Sequence, residues 1–86
     1  MEKEIKILKA LGHPMRLEII QLLSDKDSLC VCKLQEYFAS TQSNLSQHLR
    51  ILREAELLTS EKIGGWVHYS LKNKDVLKIL DILRGL

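Results

Sequence analysis

Two adjacent glycines, Gly64 and Gly65, separate Leu58-Thr59-Ser60-Glu61-Lys62-Ile63 from Trp66-Val67-His68-Tyr69-Ser70-Leu71, and no other feature limits the fold as tightly. A pair of glycines supplies the positive φ angles that a two-residue hairpin turn demands. With this pair as the turn, Lys62 opposes Val67, Ser60 opposes Tyr69 and Leu58 opposes Leu71. One hairpin face then carries Leu58, Val67, Tyr69 and Leu71, and a one-residue slip in register would turn all of them to solvent. An isolated two-stranded hairpin is marginal in water. The rest of the chain must therefore supply a body for it to lie on.

That body reads as helical. Residues 3–11 place Ile5, Leu8 and Leu11 at spacings of three. Gly12-His13-Pro14 stops this helix and opens a second, proline being suited to a first helical turn. The second helix carries Met15, Leu17, Ile20 and Leu23. Ser24 to Ser28 form a polar loop, and Leu29-Cys30-Val31 reads as a brief extended segment. A third helix starts near Cys32 and holds Leu34, Tyr37 and Phe38. Ala39-Ser40-Thr41 is a tight turn in which Ser40 or Thr41 caps the next helix. That helix runs to about Glu56 and buries Leu45, Leu49 and Leu52. After the hairpin, Asn73 caps a last helix over 74–84 with Val76, Leu77, Leu80 and Leu83 as its stripe, and Gly85 ends it. The order helix-helix-helix-helix-hairpin-helix predicts a mainly α fold with a β-hairpin, a winged helix-turn-helix, as one domain over 1–86. A chain of 86 residues buries only about two-thirds of its unfolded surface. The apolar stripes of the first and last helices therefore predict a partner subunit.

Thirteen basic and eleven acidic residues leave a net charge of +2, too small to specify a partner by itself. Its distribution says more. No Asp or Glu lies between Glu36 and Glu54, which removes repulsion where a phosphate backbone would lie. Opposite the leucines of helix 42–56, Ser43, Ser46, Gln47 and Arg50 fall at i, i+3, i+4 and i+7, with Gln42 at the N-terminal end. Arginine forks onto guanine and glutamine onto adenine, and a helix N-terminus favours phosphate. Any amphipathic surface helix has a polar face. The short helix and turn before this one, and the hairpin after it, supply the docking context for double-stranded DNA. His48, beside the leucine stripe, is either a packing residue or a phosphate contact. Lys62 is the only basic side chain at the hairpin tip, either an ordinary surface lysine or, as part of a wing, a residue that touches a phosphate or reaches toward the minor groove. Trp66 is expected to pack against the body rather than insert in DNA, an expectation that exposure at the tip would reverse.

Cys30 and Cys32 are too close in sequence to tie distant segments together. Met1-Glu2-Lys3-Glu4 holds no apolar leader, and no apolar run is long enough to span a membrane. A reducing, cytoplasmic setting with no membrane partner is the expectation. There the cysteines are small apolar residues under the third helix, ligands for a soft ion, or a redox or sulfur site. In a continuous helix, residues i and i+2 point about 200° apart. The two sulfurs converge only if Cys30 is extended and Cys32 opens the helix, where the helix N-terminus and Lys33 favour a thiolate. No enzyme is expected: there is no Cys-x-x-Cys in a βαβ setting, nucleophile–base–acid set, phosphate loop or glycine fingerprint.

Four pieces, in this order, resemble the ArsR/SmtB family of prokaryotic metal- and metalloid-responsive repressors. They are Leu11-Gly12-His13-Pro14-Met15-Arg16-Leu17, Leu29-Cys30-Val31-Cys32, Ser46-Gln47-His48-Leu49-Arg50-Ile51-Leu52-Arg53 and Trp66-Val67-His68-Tyr69-Ser70-Leu71. The likeness covers roughly residues 8–72. It implies a homodimer paired through its first and last helices that leaves operator DNA when a metal or metalloid binds. Gln42, Ser43, Ser46, Gln47, His48, Arg50 and Lys62 are then the DNA-contacting candidates. The Cys-Val-Cys box is similar to that of arsenic-type sensors, which implies Cys30 and Cys32 as metal ligands. The inducer implied is As(III), Sb(III) or another thiophilic ion, with no obligatory cofactor. Departures are visible too. Lys33 and Gln35 stand where arsenic-type boxes often carry an acid and a third cysteine, and Asp75-Val76-Leu77 lacks the histidine of the zinc site on the last helix. The alternatives are a redox- or sulfur-responsive repressor, or a winged-helix regulator without cysteine sensing.

Overall fold

A computed structural model describes residues 1–86 as five helices and three strands. The elements are α1 (Glu2–Leu11), α2 (Pro14–Leu22), β1 (Leu29–Cys30), α3 (Val31–Tyr37), α4 (Gln42–Glu54), β2 (Leu58–Ile63), β3 (Trp66–Leu71) and α5 (Val76–Arg84). The helix-turn-helix is α3, the Phe38–Thr41 connection and α4. The hairpin β2–β3 follows as the wing.

The core is built on the leucines of α4. Leu45, Leu49 and Leu52 have no exposed surface and meet Ile19, Ile20, Leu23 and Leu34, equally enclosed. Among the candidate caps, Thr41 is the one that acts: its Oγ1 accepts the Asn44 amide hydrogen at 3.0 Å. Pro14 sits in the first turn of α2, and His13 caps it through Nδ1, which accepts the Met15 N–H at 3.1 Å. The inward face of α2 differs from the expected one. Ile19 is buried beside Ile20 and Leu23, whereas Leu17 is exposed. Apolar residues lie all round this helix, so spacing alone leaves its rotation open and packing on α4 decides it.

The hairpin register is the expected one, with Leu58 opposite Leu71, Ser60 opposite Tyr69 and Lys62 opposite Val67. Gly64 and Gly65 have φ of 58° and 87°, the left-handed region at both turn positions that a type I′ turn needs. Trp66 departs from expectation: it does not pack on the body but stands exposed at the tip. The sheet also has a third strand. β1 pairs antiparallel with the outer side of β3, giving the order β1-β3-β2, with Leu29 opposite Tyr69 and Cys30 opposite His68. The wing is thereby joined to the segment that leads into α3.

Helix α4 stops at Glu54 rather than near Glu56, because Glu56 adopts a left-handed φ of 61° that redirects the chain. Leu57 and Leu58 then enter the core. Across this corner Lys72 Nζ donates to Glu56 Oε1 at 2.7 Å, and the Lys72 amide donates to the Leu57 carbonyl at 3.0 Å. The lysine holds the Glu56 carboxyl below its usual range, chiefly by the hydrogen bond and then by charge. The last helix begins at Val76, not at 74. Asn73 does cap the approach, its Oδ1 accepting the Asp75 N–H at 2.8 Å.

The terminal helices bury only part of their stripes. On α1, Ala10 and Leu11 are buried while Ile5 and Leu8 are exposed; on α5, Val76 and Leu80 are buried while Ile82 and Leu83 are exposed. No helix is long and apolar enough to cross a membrane.

Candidate nucleic-acid interface and thiol site

The polar side of α4 forms a surface because its opposite side is held in place. Gln42, Ser43, Ser46, Gln47 and Arg50 are all exposed, on the side away from Leu45, Leu49 and Leu52. Arg50 Nε lies 3.5 Å from Glu54 Oε1 one turn on. Both groups are open to solvent, and such a pair is worth about 0–1 kcal/mol, so it does not keep the guanidinium from another partner. No acidic side chain enters the first turn of α4, which leaves the helix N-terminus free to favour an anion.

An arginine on α2 positions the helix from behind. Arg16 Nε donates to the Ala10 carbonyl at 2.7 Å, and Nη2 donates to the Lys9 carbonyl at 3.2 Å. These carbonyls belong to the last turn of α1, where acceptors lack helical partners and a cation is favoured. The third arm, Nη1, lies 3.0 Å from His48 Nδ1 on α4. Arginine has no acceptor atom, so Nδ1 accepts and carries no proton. The His48 ring also stacks, tilted, on His13 at 4.3 Å between centroids. Burial, then the charges of His13 and Arg16, hold the His48 pKa below its ordinary value. Arg16 thus joins α1, α2 and α4.

The wing is fastened to the same helix, since Arg53 Nη1 donates to Ser60 Oγ on β2 at 3.3 Å. Ahead of the helix, Gln35 Nε2 on α3 donates to the Ser40 carbonyl at 2.7 Å, fixing the turn. Cys30 and Cys32 lie at the other end of α3. Cys30 is extended (φ −63°, ψ 145°), caps α3, and its Sγ accepts the Cys32 N–H at 3.2 Å. The two sulfurs are bonded to each other as a disulfide, with the Cα atoms 5.2 Å apart. Cys30 is half-buried and Cys32 exposed, so the pair sits at the surface and not beneath the helix. Lys33 turns to Glu36, 3.5 Å away. With the cysteines joined, no set of three His, Cys, Asp or Glu side chains is disposed to hold a metal ion.

Residues 13–60, which include Arg16, both helices of the motif and the start of the wing, match the model of the bacterial regulatory proteins of the arsR family. The chain belongs to this family. It is 38% identical over 85 residues to an uncharacterized HTH-type transcriptional regulator of Methanocaldococcus jannaschii, covering 95% of this chain and 96% of that one. It is 46% identical over 72 residues to the arsenical resistance operon repressor of Bacillus subtilis, covering 84% and 69%. Among solved structures it is similar to HlyU of Vibrio cholerae, with a TM-score of 0.84 at 34% identity over 95% of this chain and 88% of that one. The family is one of transcription regulators, which sets the chain apart from a thiol enzyme.

In this arsR-family regulator the candidate residues fall in three places. Gln42, Ser43, Ser46, Gln47 and Arg50 share the outer side of α4, and Lys62 stands exposed near the wing tip. His48 is separated from them, turned inward between Arg16 and His13, so the structure places it as a packing residue. Cys30 and Cys32 lie together at the β1–α3 junction. Sequence reasoning did not single out Arg16 or Arg53. Arg53 had a signal, falling three residues after Arg50 near the same face. Arg16 had none, because its partners on α1 and α4 come together only in the tertiary fold.

Proposed function

We propose that this regulator represses transcription as a homodimer bound to double-stranded operator DNA, and leaves it when a thiophilic ion is taken up by Cys30 and Cys32. As(III) and Sb(III) are the ions that suit the pair best. The carrying observation is the convergence of the two sulfurs at the point where β1 passes into α3. The name of the Bacillus subtilis relative, an arsenical resistance operon repressor, favours the same ion. Homodimerisation is supported by exposed Ile5 and Leu8 on α1 and Ile82 and Leu83 on α5. DNA contact is assigned to Gln42, Ser43, Ser46, Gln47 and Arg50, with Lys62 on a phosphate, in the cytoplasm where the thiols stay reduced.

In the reduced pair, arsenous acid exchanges two hydroxyls for two thiolates. Two As–S bonds form, the thiol protons leave with the hydroxyls as two waters, and the third oxygen or an added thiol completes the pyramid. Cys30 is at once the cap of α3 and the partner of His68 on β3. An ion that draws the two sulfurs into its own geometry acts on the start of α3. From there Gln35 and Ser40 carry the shift to α4. Release requires only that the ion-bound form hold DNA more weakly than the free form. A redox- or sulfur-responsive repressor is the second reading, favoured by the bonded sulfurs: two-electron oxidation by a small disulfide would itself lock the same cap.

The test is the double variant Cys30→Ser/Cys32→Ser in a gel-shift assay on the chain's own promoter DNA. Unchanged DNA affinity with complete loss of arsenite release is the expected result. Release equal to wild type would remove the cysteines from sensing. Wild-type release by a small disulfide but not by arsenite would move the account to the second reading.

A further inference from the structure

The register of the sheet sets a histidine beside the cysteine pair. Cys30 on β1 is opposite His68 on β3, and His68 is in turn opposite Glu61 on β2. Directly opposed residues of an antiparallel pair project from the same face. For this row it is the outer face, because the neighbouring pair, Leu29 and Tyr69, packs on the core. The Cys32 sulfur is bonded to that of Cys30 and so lies on the same side. Two sulfurs and an imidazole, from β1, α3 and β3, thus share one surface.

His68 is also the histidine whose ring the fold leaves uncommitted. His13 spends Nδ1 on the Met15 amide, and His48 spends Nδ1 on Arg16. The His68 ring takes part in no side-chain hydrogen bond and no ion pair. It is half-buried, as is Cys30, while Cys32 and Glu61 are exposed and leave a way in from solvent.

The spacing suits a metal ion. Cβ atoms of directly opposed residues lie about 4.5–5.5 Å apart. An ion with bonds of about 2.3 Å to sulfur and about 2.0–2.1 Å to imidazole nitrogen can be held by both members of such a pair. While the sulfurs are bonded to each other neither is a ligand, and no three such groups hold an ion. Reduction frees both. A trivalent metalloid is then satisfied by two thiolates and its own oxygen, whereas a divalent ion of the zinc type calls for a further protein donor, and imidazole suits it.

We propose that in the reduced chain His68 joins Cys30 and Cys32 as the third ligand of a thiophilic divalent cation, of the Zn(II) or Cd(II) class. The proposal rests on the reading of the cysteines as ligands given above and adds a donor from the wing. Two thiol protons leave to solvent, the neutral imidazole gives a lone pair, and water completes four-coordination. Glu61 stands on the far side of His68 to accept the other ring N–H, the usual partner of a ligating histidine being a carboxylate or carbonyl. The ion would tie the wing strand β3 to the residue that caps α3.

The test is titration of the reduced, oxygen-free protein with Co(II), whose visible bands report the coordination number and whose charge-transfer band reports thiolate ligation. The expected result is a four-coordinate thiolate spectrum complete near one Co(II) per chain. Zn(II) should displace the Co(II) and shift the ring resonances of His68 in the NMR spectrum, leaving those of His13 and His48 in place. His68→Gln should weaken Co(II) binding more than about 100-fold, beyond the loss typical of an outer-shell partner, and Glu61→Gln about tenfold. His68→Cys should restore tight binding, and circular dichroism of all three variants should match wild type. Co(II) binding at the thiolates with the same affinity in His68→Gln would overturn the proposal and leave the cysteines as ligands. Uptake of arsenite by the wild type without uptake of Co(II) would overturn it in the same way. Uptake of neither would remove the cysteine reading together with the proposal.

Discussion

Helices α4 and α5 are both amphipathic, and they are finished in opposite ways. The three stripe leucines of α4 have no exposure, whereas α5 buries Val76 and Leu80 and leaves Ile82 67% and Leu83 48% exposed. Helix α1 behaves like α5, with Leu8 61% exposed. The difference is one of position in the chain. The middle helix is enclosed by α1, α2, α3 and the sheet and needs only one apolar side. A terminal helix with apolar residues beyond its core-facing side still has surface to cover, and a soluble chain seldom leaves a patch of that kind open. The apolar side of α4 is fully enclosed within one chain, whereas α1 and α5 keep exposed apolar side chains.

The sharpest way to break this contrast is to hollow the middle. Leu49→Ala removes a side chain with no exposed surface and should cost about 2–5 kcal/mol, read from the urea midpoint at unchanged slope. A loss below about 1 kcal/mol would show that α4 is not the centre of the core. At the ends the same measurement should move only through loss of the partner, at protein concentrations where the wild type is paired. Leu8→Glu with Ile82→Glu should change the folding stability of the single chain by only about 0.5 kcal/mol. Sedimentation should convert from dimer to monomer, and the concentration dependence of the melting temperature should vanish. Variants that sediment as wild type would assign these stripes some other role.

The smallest effect is a pH dependence centred on His48, where Arg16 meets α4. His48 has a folded pKa below its ordinary 6.5, so between the two values the unfolded chain binds the proton and the folded chain does not. The stability contributed by the neutral ring is complete above 6.5 and is lost as the pH falls through that value toward the lower folded one. Thermal melts from pH 8 to 5 should show the decline, and His48→Gln should flatten it. An unchanged slope in the variant would show that His48 is not its source.

What the sequence disclosed follows the reach of the interactions. The hairpin register was legible because two adjacent glycines fix a local turn and alternation on either side has to agree with it. The stripe of α4 was legible because polar residues fill its other side. The extended backbone at Leu29 and Cys30 was legible, but its pairing with β3 was not, because that pairing joins positions some forty apart. Rotation of α2 failed for a related reason: Leu17 and Ile19 are equally apolar, and only packing on α4 chooses between them. In the candidate site, the exposed face of α4 followed from helical spacing. The Cys30–Cys32 approach followed from placing the helix boundary between extended and helical backbone. The inward turn of His48 depends on Arg16, thirty-two residues away.

The central claim is that a reduced cysteine pair at the β1–α3 junction controls the hold of α4 on DNA. Its most direct test is the fluorescence anisotropy of labelled promoter duplex with reduced wild-type protein, titrated with arsenite at fixed salt. The account predicts a fall to the value of free DNA with an end point near one arsenite per chain. Anisotropy that stays at the bound value through a large excess of arsenite would contradict it.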